Sequence, residues 1–179
     1  MPKSDNKHAI NLYNGIEKHV GHAEAEDFLA KLPLSKSADY IKKFKWAGEV
    51  CAYLEERFTD DEIRKIRMDC SCEPGDKAEK ARKLYEGSAD NNDFCKKFNA
   101  FATGNFLSHD DSGFYLTYPI CYCSCVQRVK ENLSKSWCVC TLGYTEKMFS
   151  HILSRKVEVE LLESVKTGGE KCVMKITYA

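Results

Sequence analysis

The apolar residues of this chain change their period once, near Gly104, and that change constrains the fold more than any other feature. Upstream they recur at the spacing of amphipathic helices. Ile10, Tyr13, Ile16 and Val20 form one stripe, and Phe28, Leu29 and Leu32 form a second that stops at Pro33. Ser37 is placed to cap a longer helix whose stripe is Tyr40, Phe44, Ala47, Cys51 and Leu54. Thr59-Asp60-Asp61-Glu62 reads as a capping box, with Phe58 set to staple onto Ile63. A further helix carries Ala78, Ala81, Leu84 and Tyr85 and closes at Gly87; the next offers Phe94, Phe98 and Phe101.

Downstream of Gly104, alternation takes over. Asn105 to His109 and Phe114 to Cys121 flank Asp110-Asp111-Ser112-Gly113, a hairpin signal. Helical spacing returns from Leu142 to Leu153, after which Val157, Val159 and Leu161 alternate with glutamates. Gly168-Gly169 turns the chain into a strand with Cys172, Met174, Ile176 and Tyr178 on one face. The order helices, hairpin, helix, hairpin predicts an α+β fold. N-terminal helices pack with a mostly antiparallel sheet of about four strands, and one helix is inserted between two hairpins. The 179 residues suit a single domain over 1–179, helical over 1–101 and hairpin-helix-hairpin over 102–179.

Charge narrows the function classes. The 27 basic and 27 acidic side chains cancel, which argues against a nucleic-acid partner held by clustered lysine and arginine. No apolar run approaches the roughly 18 residues of a membrane span. The N-terminal stretch MPKSDNKHAI lacks the apolar core of a signal peptide, so a cytoplasmic location is expected.

The ten cysteines point to chemistry. None precedes Cys51, and seven sit in three clusters: Cys70-Ser71-Cys72, Cys121-Tyr122-Cys123-Ser124-Cys125 and Cys138-Val139-Cys140. In an extended segment, residues i and i+2 lie about 6.5 Å apart, whereas a disulfide needs Cβ atoms about 3.8 Å apart. A bond within one C-x-C pair would be strained, and a reducing compartment disfavours it further. Two thiolates on one face can instead tilt onto one metal ion, with Zn–S near 2.3 Å. The best-placed ligands are Cys121 and Cys123 at the end of a strand, with Cys138 and Cys140 at the start of the next helix. Zinc is the expected ion. Cys70, Cys72 and Cys172 are second-rank ligands, and Cys125 joins them if the strand continues.

Each of these features also has a plainer reading. Free cysteines are often small buried apolar residues, and for Cys51 and Cys95, on helical apolar faces, core is the expectation. A redox dithiol is a further alternative for the clusters. Tyr118, Tyr122, Trp137 and Tyr144, with Tyr115, crowd around the clusters and could line a ligand pocket; an aromatic core is the simpler account. His109 is expected as a turn residue, and His8, His19, His22 and His151 as surface or helix-end residues. Glu158 and Glu160 suit a solvated strand face, and Arg128 and Lys130 an exposed loop.

The C-terminal third carries a resemblance. Trp137-Cys138-Val139-Cys140-Thr141-Leu142-Gly143-Tyr144, Val157-Glu158-Val159-Glu160, Glu163-Ser164 and Gly168-Gly169-Glu170-Lys171-Cys172 resemble the end of the 4-vinyl reductase small-molecule-binding domain. The L-2-amino-thiazoline-4-carboxylate hydrolase-like proteins end in a similar way. Cys121-Tyr122-Cys123 and Ser88-x-Asp90-x-x-Asp93-Phe94 resemble more closely an uncharacterised bacterial family related to these. The resemblance covers residues 105–178, and 60–101 more loosely. It implies an α+β ligand-binding fold with metal-binding cysteines, used in sensing or processing small molecules. The last hairpin departs from the pattern, with Val173 where an aromatic is usual, and no catalytic residue is carried over.

The resulting expectation is a cytoplasmic, cysteine-rich, zinc-binding domain that binds a small molecule, with a homodimer compatible with it. Four thiolates would make the metal structural, because a closed site leaves no place for water. Three would leave room for a metal-assisted hydrolase of a small C–N or C–S substrate. A thiol-redox or soft-metal sensor is the remaining alternative. Whether the chain is an enzyme stays open at this level.

Overall fold

A computed structural model describes residues 4–104 and 106–179, and its architecture is α+β. Six helices come first: α1 (Lys7–His19), α2 (His22–Lys31), α3 (Tyr40–Arg57), α4 (Asp60–Asp69), α5 (Asp76–Glu86) and α6 (Asn91–Ala102). They are followed by β1 (Leu107–Asp110), β2 (Gly113–Tyr118), α7 (Lys135–Cys138), α8 (Cys140–Ile152), β3 (Val157–Glu163) and β4 (Cys172–Tyr178). The four strands form one antiparallel sheet in the order β1-β2-β4-β3. Among the described residues, no helix is long and apolar enough to cross a membrane.

Local chemistry accounts for the element ends. The capping box forms as expected: the Thr59 amide donates to Glu62 Oε2 at 2.8 Å and the Glu62 amide to Thr59 Oγ1 at 3.3 Å. The start of α3 differs from the expectation. Asp39 caps it by accepting from the Lys42 amide at 2.8 Å, while the Ser37 hydroxyl is taken up by Ser35 Oγ at 2.8 Å. A carboxylate two residues closer to the stripe wins that role over the hydroxyl. The second strand also ends earlier than expected, at Tyr118 rather than Cys121. Pro119 follows, and without an N–H it cannot extend the ladder. Asn105, expected to open the first strand, lies outside the described residues.

The last hairpin turns through Gly168, whose φ of +95° suits a residue without Cβ. Glu163 closes this turn by accepting the amides of Glu170 and Lys171 at 2.8 and 3.2 Å. Along β3, Val157, Val159 and Leu161 are buried while Glu158 and Glu160 face solvent, as the alternation predicts.

Two apolar clusters divide the interior. Helices α1 to α4 make the first, together with Cys125 and Val126 from the segment after β2 and Trp137 from α7. The second joins α5, α6 and α8 to the inner face of the sheet, around Phe94, Phe114, Phe149, Met174 and Ile176. Helix α4 touches both, with Ile63, Ile66 and Cys70 in the first cluster and Met68 against the second. The two clusters meet where α4 crosses α8. There Gly143 comes so close that a Cβ on it would sit 2.1 Å from the Met68 carbonyl oxygen.

Candidate functional site

A buried arginine stands where the two clusters meet. Arg67 lies on the inner stripe of α4, one helical turn after Ile63, and is 3% exposed. Its Nε donates to the Ser136 carbonyl at 3.3 Å and its Nη2 to the Trp137 carbonyl at 2.6 Å. The guanidinium carbon is 4.4 Å from the centre of the Trp137 ring, which is itself edge-on to Trp46 at 5.9 Å. Burying a cation without a counter-charge costs several kcal/mol. Among the described residues no carboxylate pairs with Arg67, and the titratable groups that act on it most are cysteines. Burial works to lower its pKa, but Cys140, Cys70, Cys51 and Cys123 outweigh that and raise it.

The cysteines expected at a metal site come from three parts of the chain. Cys138 ends α7 and Cys140 opens α8, where the free amides of a helix N-terminus favour negative charge. Cys121 and Cys123, expected at the end of the second strand, lie outside it, since β2 stops at Tyr118. They lie in the irregular segment beyond Pro119, in which the Cys123 carbonyl accepts the Val126 and Gln127 amides at 3.1 and 2.9 Å. Cys172 opens β4 opposite Tyr118, so the register sets it beside the end of β2.

These thiols share one electrostatic environment. Burial pushes Cys140 up, Arg67 opposes it, and Cys123, Cys72 and Cys121 push further. Burial raises Cys138 to about 12; the Ser164 hydroxyl, 3.1 Å from its sulfur, opposes the rise, and Cys140, Cys172 and Cys121 add to it. Cys121 is raised by burial, then by Cys123 and Cys172. Thus Cys121, Cys123, Cys138 and Cys140 act on one another electrostatically, and Cys72 and Cys172 act on them too. Among the described residues, no three His, Cys, Asp or Glu side chains already stand in position to hold a metal ion. Holding one ion would therefore require these thiols to move from where the structure places them.

The other cysteines are set apart. Cys70 donates to the Asn11 and Ile66 carbonyls at 3.3 and 3.1 Å, and burial raises it to about 12. Cys125 is 1% exposed, directed at the Lys43 carbonyl, and also raised by burial to about 12. Strand extension does not carry it to the face of Cys121, because the chain turns at Cys123. Cys51 and Cys95 are buried, as their helical positions imply.

The aromatic residues divide. Trp137 is core, at 3% exposure. Tyr118 packs edge-on to Tyr122 at 5.4 Å, and Tyr122 is exposed. Tyr144 is half-buried on α8, and its pKa is raised by burial and by Cys72. His109 lies in β1 against the Phe114 ring, with neither ring nitrogen bonded. His19, His22 and His151 pair with Asp69, Glu17 and Glu79 at the surface. Arg128 and Lys130 are exposed.

Sequence reasoning passed over Arg67, Ser164 and Lys166. Arg67 carried a signal, since it is a charge inside the stripe Ile63, Ile66, Cys70. Ser164 stood out only within the resemblance and Lys166 carried no signal, because their roles depend on partners distant in sequence. Lys166 is 3% exposed and donates to the Val129 and Glu131 carbonyls, tying down the cysteine-bearing segment.

A family model described as a family of unknown function (DUF6144) matches residues 4–179. The chain belongs to this family. The DUF6144 match takes in both apolar clusters and all three cysteine groups. None of the curated proteins compared with the chain matches it.

Proposed function

We propose that this chain is a zinc–thiolate domain whose ion is held by Cys121, Cys123, Cys138 and Cys140. Cys72 and Cys172 lie at its edge. The observation that carries this reading is Arg67, a guanidinium buried to 3% exposure with no carboxylate partner among the described residues, on which Cys140 and Cys123, two of the proposed ligands, act. A zinc ion with four thiolates has a net charge of about −2, which would supply the counter-charge that a buried cation needs. The bound ion would tie the segment after β2 to the α7–α8 junction, joining the two apolar clusters. Cys140, at the first turn of α8, would also have its thiolate held by the helix N-terminus.

A cytoplasmic location belongs to the same reading, because thiols in this number stay reduced there. Kinship with the 4-vinyl reductase type of domain and a small molecule as the partner belong to it too. The balanced charge supports a small molecule over nucleic acid.

The test is elemental analysis of the chain purified under reducing conditions, combined with thiol titration. The expected result is about one zinc per chain, with about four thiols shielded until a chelator is added. A folded chain that carries no metal, takes up none on titration, and exposes all ten thiols once unfolded would overturn the reading.

A further inference from the structure

The last hairpin reaches the cysteines through one hydroxyl. Ser164 follows β3, caps the single helical turn Val165–Thr167 and is 1% exposed. Its Oγ lies 3.1 Å from Cys138 Sγ and accepts the Lys166 amide at 3.1 Å. Its carbonyl is held separately, by the Thr167 hydroxyl at 3.1 Å and the Gly169 amide at 2.9 Å. The other arm of the hairpin opens with Cys172, which acts on both Cys121 and Cys138.

The groups around Oγ give the Ser164–Cys138 contact a direction. An amide N–H only donates, so Lys166 cannot take the hydroxyl proton. Among the described residues, the Cys138 sulfur is then the one acceptor that Oγ meets. A thiol at Cys138 could donate to Ser164 instead, but this strands a buried hydroxyl proton without an acceptor. A thiolate has no proton to give, and hydrogen bonds to an ionised acceptor are about twice as strong as neutral ones. The pair is therefore best satisfied when the sulfur is a thiolate, the form in which cysteine binds a metal.

We infer that Ser164 is a positioning residue of the thiolate centre: its hydroxyl donates to the Cys138 sulfur, orients that sulfur for the ion and tempers its electron donation to the metal. The inference rests on the zinc–thiolate reading and deepens it, adding a residue that is not itself a ligand. A thiolate sulfur bound to one ion keeps lone pairs for the hydroxyl. Losing an outer hydrogen bond of this kind lowers metal affinity about 10–100-fold.

The test uses the full chain loaded with zinc, its affinity read by competition with a chromophoric chelator. Cobalt(II) in place of zinc gives the sulfur-to-metal charge-transfer band. Ser164→Ala should weaken zinc binding about tenfold or more. It should also move the band to longer wavelength, because a sulfur without the hydrogen bond gives up electron density more readily. Ser164→Thr, which keeps the hydroxyl, should restore both. Thr167→Val removes the hydroxyl that donates to the Ser164 carbonyl and that bonds to no cysteine among the described residues. It loosens the same turn and should leave the band and the affinity unchanged.

A merely structural serine would lower the urea midpoint of the metal-free chain and leave the band in place. An unmoved band in cobalt-loaded Ser164→Ala, or an equal shift in Thr167→Val, overturns the inference while the metal reading stands. A second measurement needs no substitution. In the chain loaded with spin-active cadmium, the Ser164 hydroxyl proton should couple to the metal across the Cys138 sulfur. A resolved hydroxyl signal without that coupling overturns the inference even where Ser164→Ala fails to fold. A parent chain that takes up none of these ions overturns the metal reading and this inference together, so the two failures are told apart.

Discussion

The Arg67 guanidinium lies 4.4 Å from the centre of the Trp137 ring while its Nη2 donates to the carbonyl oxygen of that same residue at 2.6 Å. One residue of α4 therefore holds both the side chain and the backbone of the residue that leads into Cys138. The α7–α8 junction, with two of the four proposed ligands, is positioned by this clamp.

Arg67→Met removes that clamp. It leaves the Ser136 carbonyl without the Arg67 donor and the Trp137 carbonyl with only the weak Cys140 thiol at 3.7 Å, and should lower stability by about 2–4 kcal/mol. Arg67→Lys keeps the charge but loses the planar stacking, so a smaller loss and near-normal zinc content are expected. Urea unfolding and metal analysis of both variants check this. A methionine variant as stable as the parent would show that Arg67 does not organise the junction.

The approach of α4 to α8 gives a second prediction. A Cβ at Gly143 would stand 2.1 Å from the Met68 carbonyl oxygen, whereas one at Gly48 meets only Leu133 Cδ2 at 3.8 Å. Gly143→Ala should cost about 1–3 kcal/mol by forcing the helices apart. It should also weaken zinc binding, because Cys140 moves with α8. Gly48→Ala, inside α3, should instead stabilise by about 0.5–1 kcal/mol through helix propensity. Denaturant midpoints of the pair measure the contrast.

Lys166 should act on the cysteine-bearing segment alone. Its ammonium lies 5.4 Å from the Phe44 ring centre and donates to Val129 and Glu131, while its carbonyl accepts the Leu133 amide at 2.7 Å. Lys166→Met leaves two carbonyls unpartnered, a loss of about 1–3 kcal/mol. Hydrogen exchange should quicken across 121–134 and stay unchanged in α1 and α2. Uniform acceleration over the whole chain would contradict this.

Glu79 sets a limb of the acid response. Arg82 and then His151 hold its carboxyl down to about 2, against an ordinary value of 4.5. The native state therefore binds this proton less readily than the unfolded chain does. The stabilisation is fully present above pH 4.5 and is lost as the pH falls through about 2. Glu79→Gln should flatten the stability profile across that window, most simply read from urea midpoints at successive pH values. An unchanged slope would show that the link between α5 and α8 through His151 contributes nothing.

What could be read directly was whatever repeats along the chain. Apolar period identified the helices and strands, the capping box appeared where Thr59 and Glu62 implied it, and the glutamates of β3 face solvent. Cys51 and Cys95 are buried because their stripes are. The errors fell at ends. Asp39 displaced Ser37 as a cap, and Pro119 stopped a strand that periodicity alone would have continued to Cys121.

Amino-acid order by itself determined the α+β class, the sheet of four strands and the grouping of the cysteines, because period and turn chemistry act between neighbours. Only the tertiary structure decided which thiols face one buried cation, that Ser164 meets Cys138, and that Gly143 lets α8 rest on the backbone of α4. The physical reason is that a stripe records which face is hidden but not what hides it. A buried charge, a buried hydroxyl and a missing Cβ take their meaning from atoms that arrive from elsewhere in the chain.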